Sequence, residues 1–272
     1  MALKKEGRGH FDHASANSSS SLPNIDINPE HRAIVNNFLA RVQGTDESYS
    51  PEWIRESLRK AVLTMDTIVR EPEAVIISTA FLKTLPLPEL RSGYAEVIKH
   101  GLIRNSNYFE SLKMQDWENQ NWKDIIEISV AMKRDVVEKD PKEEGLRKIL
   151  NFGHTVGHAV ESFYLDTDKH LLHGEAIAVG MIAEAYLSKK LCGLSTVALD
   201  TITEFLLFVF DKIEIPAEAL DNIAQLCFQD KKNEGQVINC SLLRRIGECD
   251  YNIPVSSEDI IESLNFYNEL KK

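Results

Sequence analysis

Four of the eight histidines in this 272-residue chain lie between His154 and His173. His154 and His158 are four residues apart, and His173 follows in the stretch LLHGEAIAVG. Residues four apart lie one turn above each other on the same face of an α-helix, so both imidazoles can point at one object. Neutral imidazole is a common ligand of Zn²⁺, and a catalytic zinc usually takes three protein ligands. The spacing fits a metal site with a donor from elsewhere, although a histidine pair with satisfied hydrogen bonds is the commoner meaning of this spacing alone.

Glycines and other small residues surround these histidines. Gly153 and Gly157 directly precede His154 and His158, and they leave room for another backbone or a ligand to come close. The segment after His173 predicts a tightly packed helix whose first N–H groups favour an anion or a polar ligand. Its small residues are Gly174, Ala176, Ala178, Gly180 and Ala183.

A second polar group lies in the stretch ELRSGYAEVIKHGLIRN, where helical spacing puts Glu96, Lys99, His100 and Ile103 on one face. Glu96 stands among apolar residues, where a carboxylate is costly unless it is paired or bound to a cation. The simplest partner is Lys99, and an ion pair of these two residues is the alternative to a site.

A third group consists of Lys133, Arg147 and Asn151, which precede His154. The spacing predicts that Arg147, Asn151 and His154 share one helix face. A cation, a planar guanidinium, an amide and imidazoles are what a polyhydroxylated anionic substrate would require. A solvated helix face is the alternative interpretation of the same charges.

The elements that must position these residues are mostly helices. Residues 1–28 have no hydrophobic periodicity and predict a disordered leader, and 29–70 predict two amphipathic helices of unknown role. Glu73–Ser78 predicts a short buried strand, and two apolar runs around Arg244–Gly247 predict a β-hairpin. The main predicted helices are Leu87–Arg104, Trp122–Lys139, Leu146–Phe163, Gly174–Leu191, Ala198–Phe210 and Ser257–Leu270.

Composition narrows the class of partner. The formal net charge of −11 argues against nucleic acid or an anionic membrane as the main partner, but a local cluster of lysines and arginines can still bind a small anion. No apolar run is long enough to span a bilayer, and the N-terminus lacks the apolar core of a secretory signal. The four cysteines form no C-x-x-C pair, which favours free thiols in a reducing, cytoplasmic compartment.

Taken in order, these stretches resemble the 3-dehydroquinate synthase family, from about Glu73 to Val255. The resemblance implies a mainly α fold, a multi-helical dehydroquinate-synthase-like C-terminal domain over 71–272 with a short strand and a C-terminal β-hairpin. The stretches that carry it are EAVIISTAFLKTLPLPELRSGYAEVIKHGLI, KRDVVEKDPKEEGLRKILNFGHTVGHAVE, LLHGEAIAVGM and DKKNEGQVINCSLLRRIG.

The resemblance implies roles for individual residues. Glu96, His154 and His173 match the ligands of a catalytic Zn²⁺ or similar divalent metal. His158, Lys99 and Lys133 match residues that act on the substrate, and the matches to substrate-binding residues are Arg147, Asn151 and Lys231. His170 matches no such position.

The activity that the resemblance implies is a lyase reaction of the shikimate pathway of aromatic amino acid biosynthesis. A seven-carbon sugar acid phosphate is oxidised by NAD⁺, loses phosphate, is reduced again and closes to 3-dehydroquinate. The combination of Lys133, Asn151 and His158 resembles dehydroquinate synthase more than it resembles other sugar phosphate cyclases.

The chain departs from the family before the predicted strand Glu73–Ser78. Family members carry a nucleotide-binding domain with glycine-rich turns there, whereas this chain has only Gly7, Gly9 and Gly44 before Gly93. We therefore expect the metal and substrate half alone, without its own NAD site and inactive as an isolated chain. One hypothesis is an enzyme half, which either needs a separate nucleotide-binding chain or is a truncated form of such an enzyme. The other is a non-catalytic metal- or sugar-phosphate-binding module. The family also suggests a homodimer.

Overall fold

The computed structural model describes residues 77–165, 167–228 and 238–271. The described residues from Ser78 onward form one compact, mainly α unit. Their α-helices are α1 (Leu87–Arg104), α2 (Ser106–Lys113), α3 (Trp122–Lys139), α4 (His154–Tyr164), α5 (His173–Cys192), α6 (Thr196–Val209), α7 (Leu220–Phe228) and α8 (Ser257–Glu269). Short 3₁₀ helices are found at Thr79–Thr84, Trp117–Asn119, Leu146–Asn151 and Ala217–Ala219. The two strands are β1 (Ile238–Arg245) and β2 (Glu248–Val255).

Helix α5 is the centre of this unit. It is apolar on nearly every side rather than along one stripe, which is typical of a helix surrounded by protein. It packs against α1, α4, α6, α8 and β1. The elements that carry the candidate site residues therefore meet around one buried helix.

The hairpin closes one side of the core. Strands β1 and β2 are antiparallel, and their register runs from Ile238 opposite Val255 to Arg245 opposite Glu248. The N–H of Gly247 in the turn donates to the carbonyl of Leu102 at 2.7 Å, which ties the hairpin to α1. The predicted hairpin is confirmed.

The predicted helix Leu146–Phe163 is wrong as a single helix. A 3₁₀ helix covers Leu146–Asn151, and α4 begins only at His154. Gly153 between them has φ +81°, in the left-handed region, so a right-handed helix cannot run through it. For the same reason the predicted common helix face of Arg147, Asn151 and His154 does not exist.

The other helices either lie at or close to the predicted limits or were not predicted. Helices α1 and α3 have the predicted limits, whereas α2 and α7 were not predicted, because both are short. Of the predicted strand Glu73–Ser78 only Ile77 and Ser78 are described, and neither is in a strand. The side chain of Ser78 instead accepts a hydrogen bond from the N–H of Ala80 and caps a 3₁₀ helix. The predictions for 1–28 and 29–70 lie outside the described residues.

Two expectations from composition can be compared with this unit. No helix in the described part of the chain is both long enough and apolar enough to cross a membrane. All four cysteines are described and none is in a disulfide, as the absence of a paired spacing predicted.

Candidate metal centre

The site is built where α4 and α5 cross in contact. A Cβ on Gly180 of α5 would lie 2.0 Å from the carbonyl oxygen of Gly153, and one on Gly157 of α4 would lie 3.1 Å from the carbonyl oxygen of Ala176. These distances leave no room for side chains, so the two backbones touch directly. The glycines beside the histidines therefore admit a neighbouring helix, which is one of the two occupants expected from the sequence.

This crossing brings three histidines together. The ring centroids are 5.0 Å apart for His154 and His158, 5.6 Å for His154 and His173, and 5.7 Å for His158 and His173. One nitrogen of each ring lies within 4.8 Å of a nitrogen of both others. Imidazole nitrogens that converge in this way can surround one divalent ion.

Hydrogen bonds orient two of these rings. Nδ1 of His154 lies 3.2 Å from the carbonyl oxygen of Phe152, and Nδ1 of His173 lies 3.1 Å from Oε2 of Glu161. A carbonyl or carboxylate oxygen only accepts, so each Nδ1 carries a proton, and in the neutral form of each ring Nε2 is the nitrogen with the free lone pair. Imidazoles that bind metals are held in this same way, with the far nitrogen donating to an oxygen.

Glu96 of α1 completes the group. Its Oε1 lies 3.3 Å from Nε2 of His154, is shielded from solvent and makes no hydrogen bond of good geometry. Its Oε2 accepts from Nζ of Lys99 at 2.7 Å. Two lone pairs that face each other at this distance repel unless a proton or a metal ion lies between them. The donor set therefore fits a divalent cation.

The charges around Glu96 keep it ionised. Burial alone would raise the pKa of this carboxyl, but the adjacent imidazole of His154 and the charge of Lys99 outweigh burial and hold the pKa well below its usual range. Lys99 is only 2% exposed, and burial lowers its pKa while Glu96 opposes that shift. A carboxylate that stays charged in a shielded place is suited to a cation.

His100, on the same helix, is a core residue and not part of this group. Its Nδ1 lies 2.6 Å from the hydroxyl oxygen of Ser129 on α3. Burial, followed by the charge of Lys99, lowers the pKa of His100 to about 4. The ring is therefore neutral at physiological pH.

The start of α5 is fixed against α1. The N–H of Gly174 donates to the hydroxyl oxygen of Ser92 at 2.8 Å, and Arg91 forms an ion pair with Glu175 at 2.9 Å. Ser92 is one helical turn before Glu96, so these contacts hold His173 beside the turn that carries the carboxylate.

The other predicted substrate residues, Lys133, Arg147 and Asn151, lie on α3 and on the 3₁₀ helix before α4. Lys133 is exposed on α3, one turn after Ser129. Its charge contributes to the lowered pKa of Lys99. Arg147 donates through Nη1 to the carbonyl of Pro141 at 2.8 Å. The amide of Asn151 donates to Glu143 at 2.8 Å.

Thus the structure brings Glu96, Lys99 and the three histidines into one group. It puts Arg147 and Asn151 on the 3₁₀ helix that leads into α4 and packs against α1 and α3. Lys231 lies outside the described residues. Sequence reasoning assigned no role to Glu161, although its position one turn beyond His158 was visible.

Comparison with known proteins identifies relatives of this unit. A family model described as "3-dehydroquinate synthase C-terminal" matches residues 93–233. The 3-dehydroquinate synthase of Parabacteroides distasonis is 41% identical over 201 residues, which cover 73% of this chain and 57% of that protein. The enzyme of the same name from Dictyoglomus turgidum is 38% identical over 199 residues, covering 71% and 55%. The chain therefore spans about half the length of the curated relatives it matches.

Solved structures share the fold. A 2-deoxy-scyllo-inosose synthase complexed with carbaglucose-6-phosphate, NAD⁺ and Co²⁺ matches with a TM-score of 0.55 and 25% identity, over 66% of this chain and 52% of that one. A 2-epi-5-epi-valiolone synthase from Streptomyces hygroscopicus with NAD⁺ and Zn²⁺ bound matches with a TM-score of 0.60 and 23% identity, over 70% and 54%.

Proposed function

Because the chain belongs to the 3-dehydroquinate synthase C-terminal family, we propose that the described unit is the metal- and phosphate-binding half of a 3-dehydroquinate synthase. The substrate is then a seven-carbon sugar acid phosphate, and the products are 3-dehydroquinate and phosphate, in the shikimate pathway to aromatic amino acids. Relatives of that name reach 41% identity, against 25% for a solved synthase of a different cyclitol, which supports this substrate over the alternatives.

The observation that carries the proposal is the approach of Nε2 of His154 to the unpaired Oε1 of Glu96 at 3.3 Å. Glu96, His154 and His173 are the proposed holders of a divalent metal such as Zn²⁺. When bound, the metal supplies Lewis acidity that stabilises negative charge on a substrate hydroxyl during its oxidation.

The other residues bind the substrate and handle protons. His158, whose ring lies 5.0 Å from that of His154, is the proposed group for proton transfer. Lys99 keeps Glu96 ionised, and Lys133 supplies an exposed positive charge for a phosphate or carboxylate of the substrate. Arg147 and Asn151 are the proposed further contacts to the substrate, once a ligand competes for their present partners.

Hydride transfer with NAD⁺ is proposed for the whole enzyme and assigned to no described residue. Two of the solved relatives contain NAD⁺. We propose that a nucleotide-binding domain faces the metal group from outside the described unit. A separate chain that carries this domain and a homodimer of this chain are the proposed partners.

An assay of phosphate release distinguishes the proposal from its alternatives. The zinc-loaded chain would be combined with a separately produced nucleotide-binding domain of a relative, NAD⁺ and the seven-carbon substrate, with His154→Ala as the control. Release that depends on His154 is expected. Release from glucose 6-phosphate alone would identify a different sugar phosphate cyclase. Metal binding without release from either would favour a non-catalytic binding module.

A further inference from the structure

Glu184 is a carboxylate in the middle of the central helix α5, with no exposed surface. Its neighbours along the chain are alanines, so its own neighbours in sequence do not explain a carboxyl group at this buried place. The carboxylate instead faces α4. Oε2 accepts from the N–H of Gly153 at 2.7 Å, and Oε1 accepts from the N–H of Val156 at 3.1 Å.

These two donors belong to the first turn of the helix that carries His154. The first N–H groups of an α-helix have no partner within the helix, and a nearby side chain usually satisfies them. Gly153, the N-cap of α4, has no side chain to do so. Glu184 supplies both acceptors from the neighbouring helix, at the positive end of the α4 dipole.

The position of Glu184 on α5 also matters. It follows His173 by eleven residues, close to three full turns, so both residues lie on nearly the same face of one helix. Helix α4 runs antiparallel along that face, with Gly153 beside Met181 and Glu161 beside His173. One rigid helix thus holds a histidine at one end of this face and an anchor for a second histidine at the other.

The charges that surround Glu184 are few. Burial raises the pKa of Glu184 to about 8, against the lowering by the backbone N–H groups of Val156, Gly153 and Thr155 and by the charge of Lys99. On β1 and β2 its neighbours are the thiols of Cys240 and Cys249, whose pKa values burial raises first and Glu184 second.

We propose that Glu184 is a positioning residue for the metal centre. Its carboxylate fixes the first turn of α4 and so holds the imidazole of His154 where it meets His173 and Glu96. The inference rests on the proposed metal site and deepens it. Without this anchor the turn frays, and His154 is no longer held beside Glu96 and His173.

The test compares the full chain with Glu184→Gln and Glu184→Ala. The glutamine has nearly the same shape, but one of its two polar atoms is an NH2 group that only donates, so one N–H of α4 is left without an acceptor. Zn²⁺ affinity would be measured by competition with a chromophoric chelator. We expect affinity to fall about 10- to 100-fold for Glu184→Gln, as for other residues that hold metal ligands in place. The absorption spectrum of bound Co²⁺ should change as well.

Ser188→Ala is the matched control. Ser188 lies one turn further along α5, is fully buried, and accepts from the N–H of Leu243 on β1 instead of from α4. Its loss should reduce stability while leaving Zn²⁺ affinity and the Co²⁺ spectrum unchanged. Equal losses of affinity in Ser188→Ala and Glu184→Gln would mean general destabilisation and would overturn the inference.

Amide hydrogen exchange of the metal-free chain provides a readout that needs no metal. We expect faster exchange at Gly153 and Val156 in both Glu184 variants, and unchanged exchange there would overturn the anchoring role. A wild-type chain that binds no Zn²⁺ would overturn the proposed function together with the metal part of this inference. A wild type that binds Zn²⁺ no better than Glu184→Gln would overturn this inference alone.

Discussion

Nε2 of His154 on α4 lies 3.3 Å from Oε1 of Glu96 on α1, and this carboxylate oxygen has no hydrogen bond. Nδ1 of the same imidazole is directed at the carbonyl of Phe152. In the neutral form of this imidazole the two atoms that face each other are both electron-pair donors, and a cation between them relieves their repulsion.

Removal of this imidazole should abolish metal binding. We expect purified wild-type chain to contain about one divalent ion and His154→Ala to contain almost none, because two of the remaining donors are a salt-bridged carboxylate and an exposed imidazole. Elemental analysis measures the content. His170→Ala is the control, since His170 is exposed and belongs to the same segment. Equal metal in the wild type and His154→Ala would count against the site.

Glu161 should strengthen metal binding at the same site through its contact with His173. Its carboxylate lies 3.1 Å from Nδ1 of that ring, so Glu161→Gln keeps an acceptor but loses the charge that favours the correct tautomer. We expect Zn²⁺ affinity to fall about tenfold. Titration against a chelator measures this, with the exposed Glu138→Gln on α3 as control. The role of Glu161 would be refuted by a change no larger than that of the control.

Lys133 should bind anions. A charge-assisted hydrogen bond contributes about 1.5–3 kcal/mol, so Lys133→Ala should weaken the binding of inorganic phosphate to the metal-loaded chain by about tenfold or more. Lys123→Ala, an exposed lysine at the other end of α3, should have no effect. Calorimetric titration at low salt is the measurement. Arg147→Ala should also bind phosphate more weakly, and affinity equal to that of the wild type would remove Arg147 from the site.

His100 should make the unit sensitive to acid. Its pKa is about 4 in the folded chain because of burial and the charge of Lys99, against an ordinary value of about 6.5. The unfolded chain therefore binds the proton first as pH falls, so the stability present above pH 6.5 is lost between about pH 6.5 and 4.

The slope of this loss approaches about 1.4 kcal/mol per pH unit for one proton. His100→Gln should have a flatter dependence of the free energy of unfolding on pH, although it is less stable at pH 7. Urea unfolding at several pH values measures both. His170→Ala should keep the wild-type slope, and an unchanged slope in His100→Gln would contradict the assignment. Lys133 adds to the lowering of this pKa and Glu96 opposes it, so neither should be altered in the same variant.

Gly180 should be intolerant of any side chain. An added Cβ would meet the carbonyl oxygen of Gly153 at 2.0 Å and the backbone of Gly157 at 2.6 Å, and backbone atoms cannot move aside cheaply. We expect Gly180→Ala to lose about 3 kcal/mol or more and to bind metal poorly. Gly93→Ala in α1 is the control, because nothing lies within 4 Å of its added Cβ.

In that control, the lower entropy of the unfolded alanine chain should raise stability by about 0.5–1 kcal/mol. Thermal unfolding followed by circular dichroism compares the two variants. Similar losses of stability in both variants would show that the close approach of α4 and α5 does not restrict the side chain at position 180.

Local features of this fold were predictable from the sequence. Helices α1 and α3 have the predicted limits because each is long and has apolar residues at helical spacing, and both properties are local. The hairpin was predictable for a similar reason, since its two strands adjoin in the chain. The short helices α2 and α7 were missed, because eight or nine residues provide little periodicity and such helices depend on tertiary packing.

The candidate site, too, was predictable only in part from the sequence. Residue types and spacing fitted a metal at His154 and His158, and a charged residue among apolar ones drew attention to Glu96. The resemblance to the family implied the ligand set Glu96, His154 and His173. Nothing local showed that Glu96 would meet His154, or that Glu161 and Glu184 would orient the histidines. These contacts join residues of different helices.

By itself the sequence determined which chemistry is available: imidazoles and a carboxylate for a divalent cation, lysines and an arginine for an anion, and a mainly helical frame. Tertiary structure decided which of these groups meet. The left-handed Gly153, which ends the predicted helix Leu146–Phe163, lies directly against α5, where Gly180 has no side chain. That contact, together with the bond from Gly174 to Ser92, sets the distances between donors on three helices. Such distances depend on how the helices pack, which residues distant in the chain determine together and no single stretch encodes.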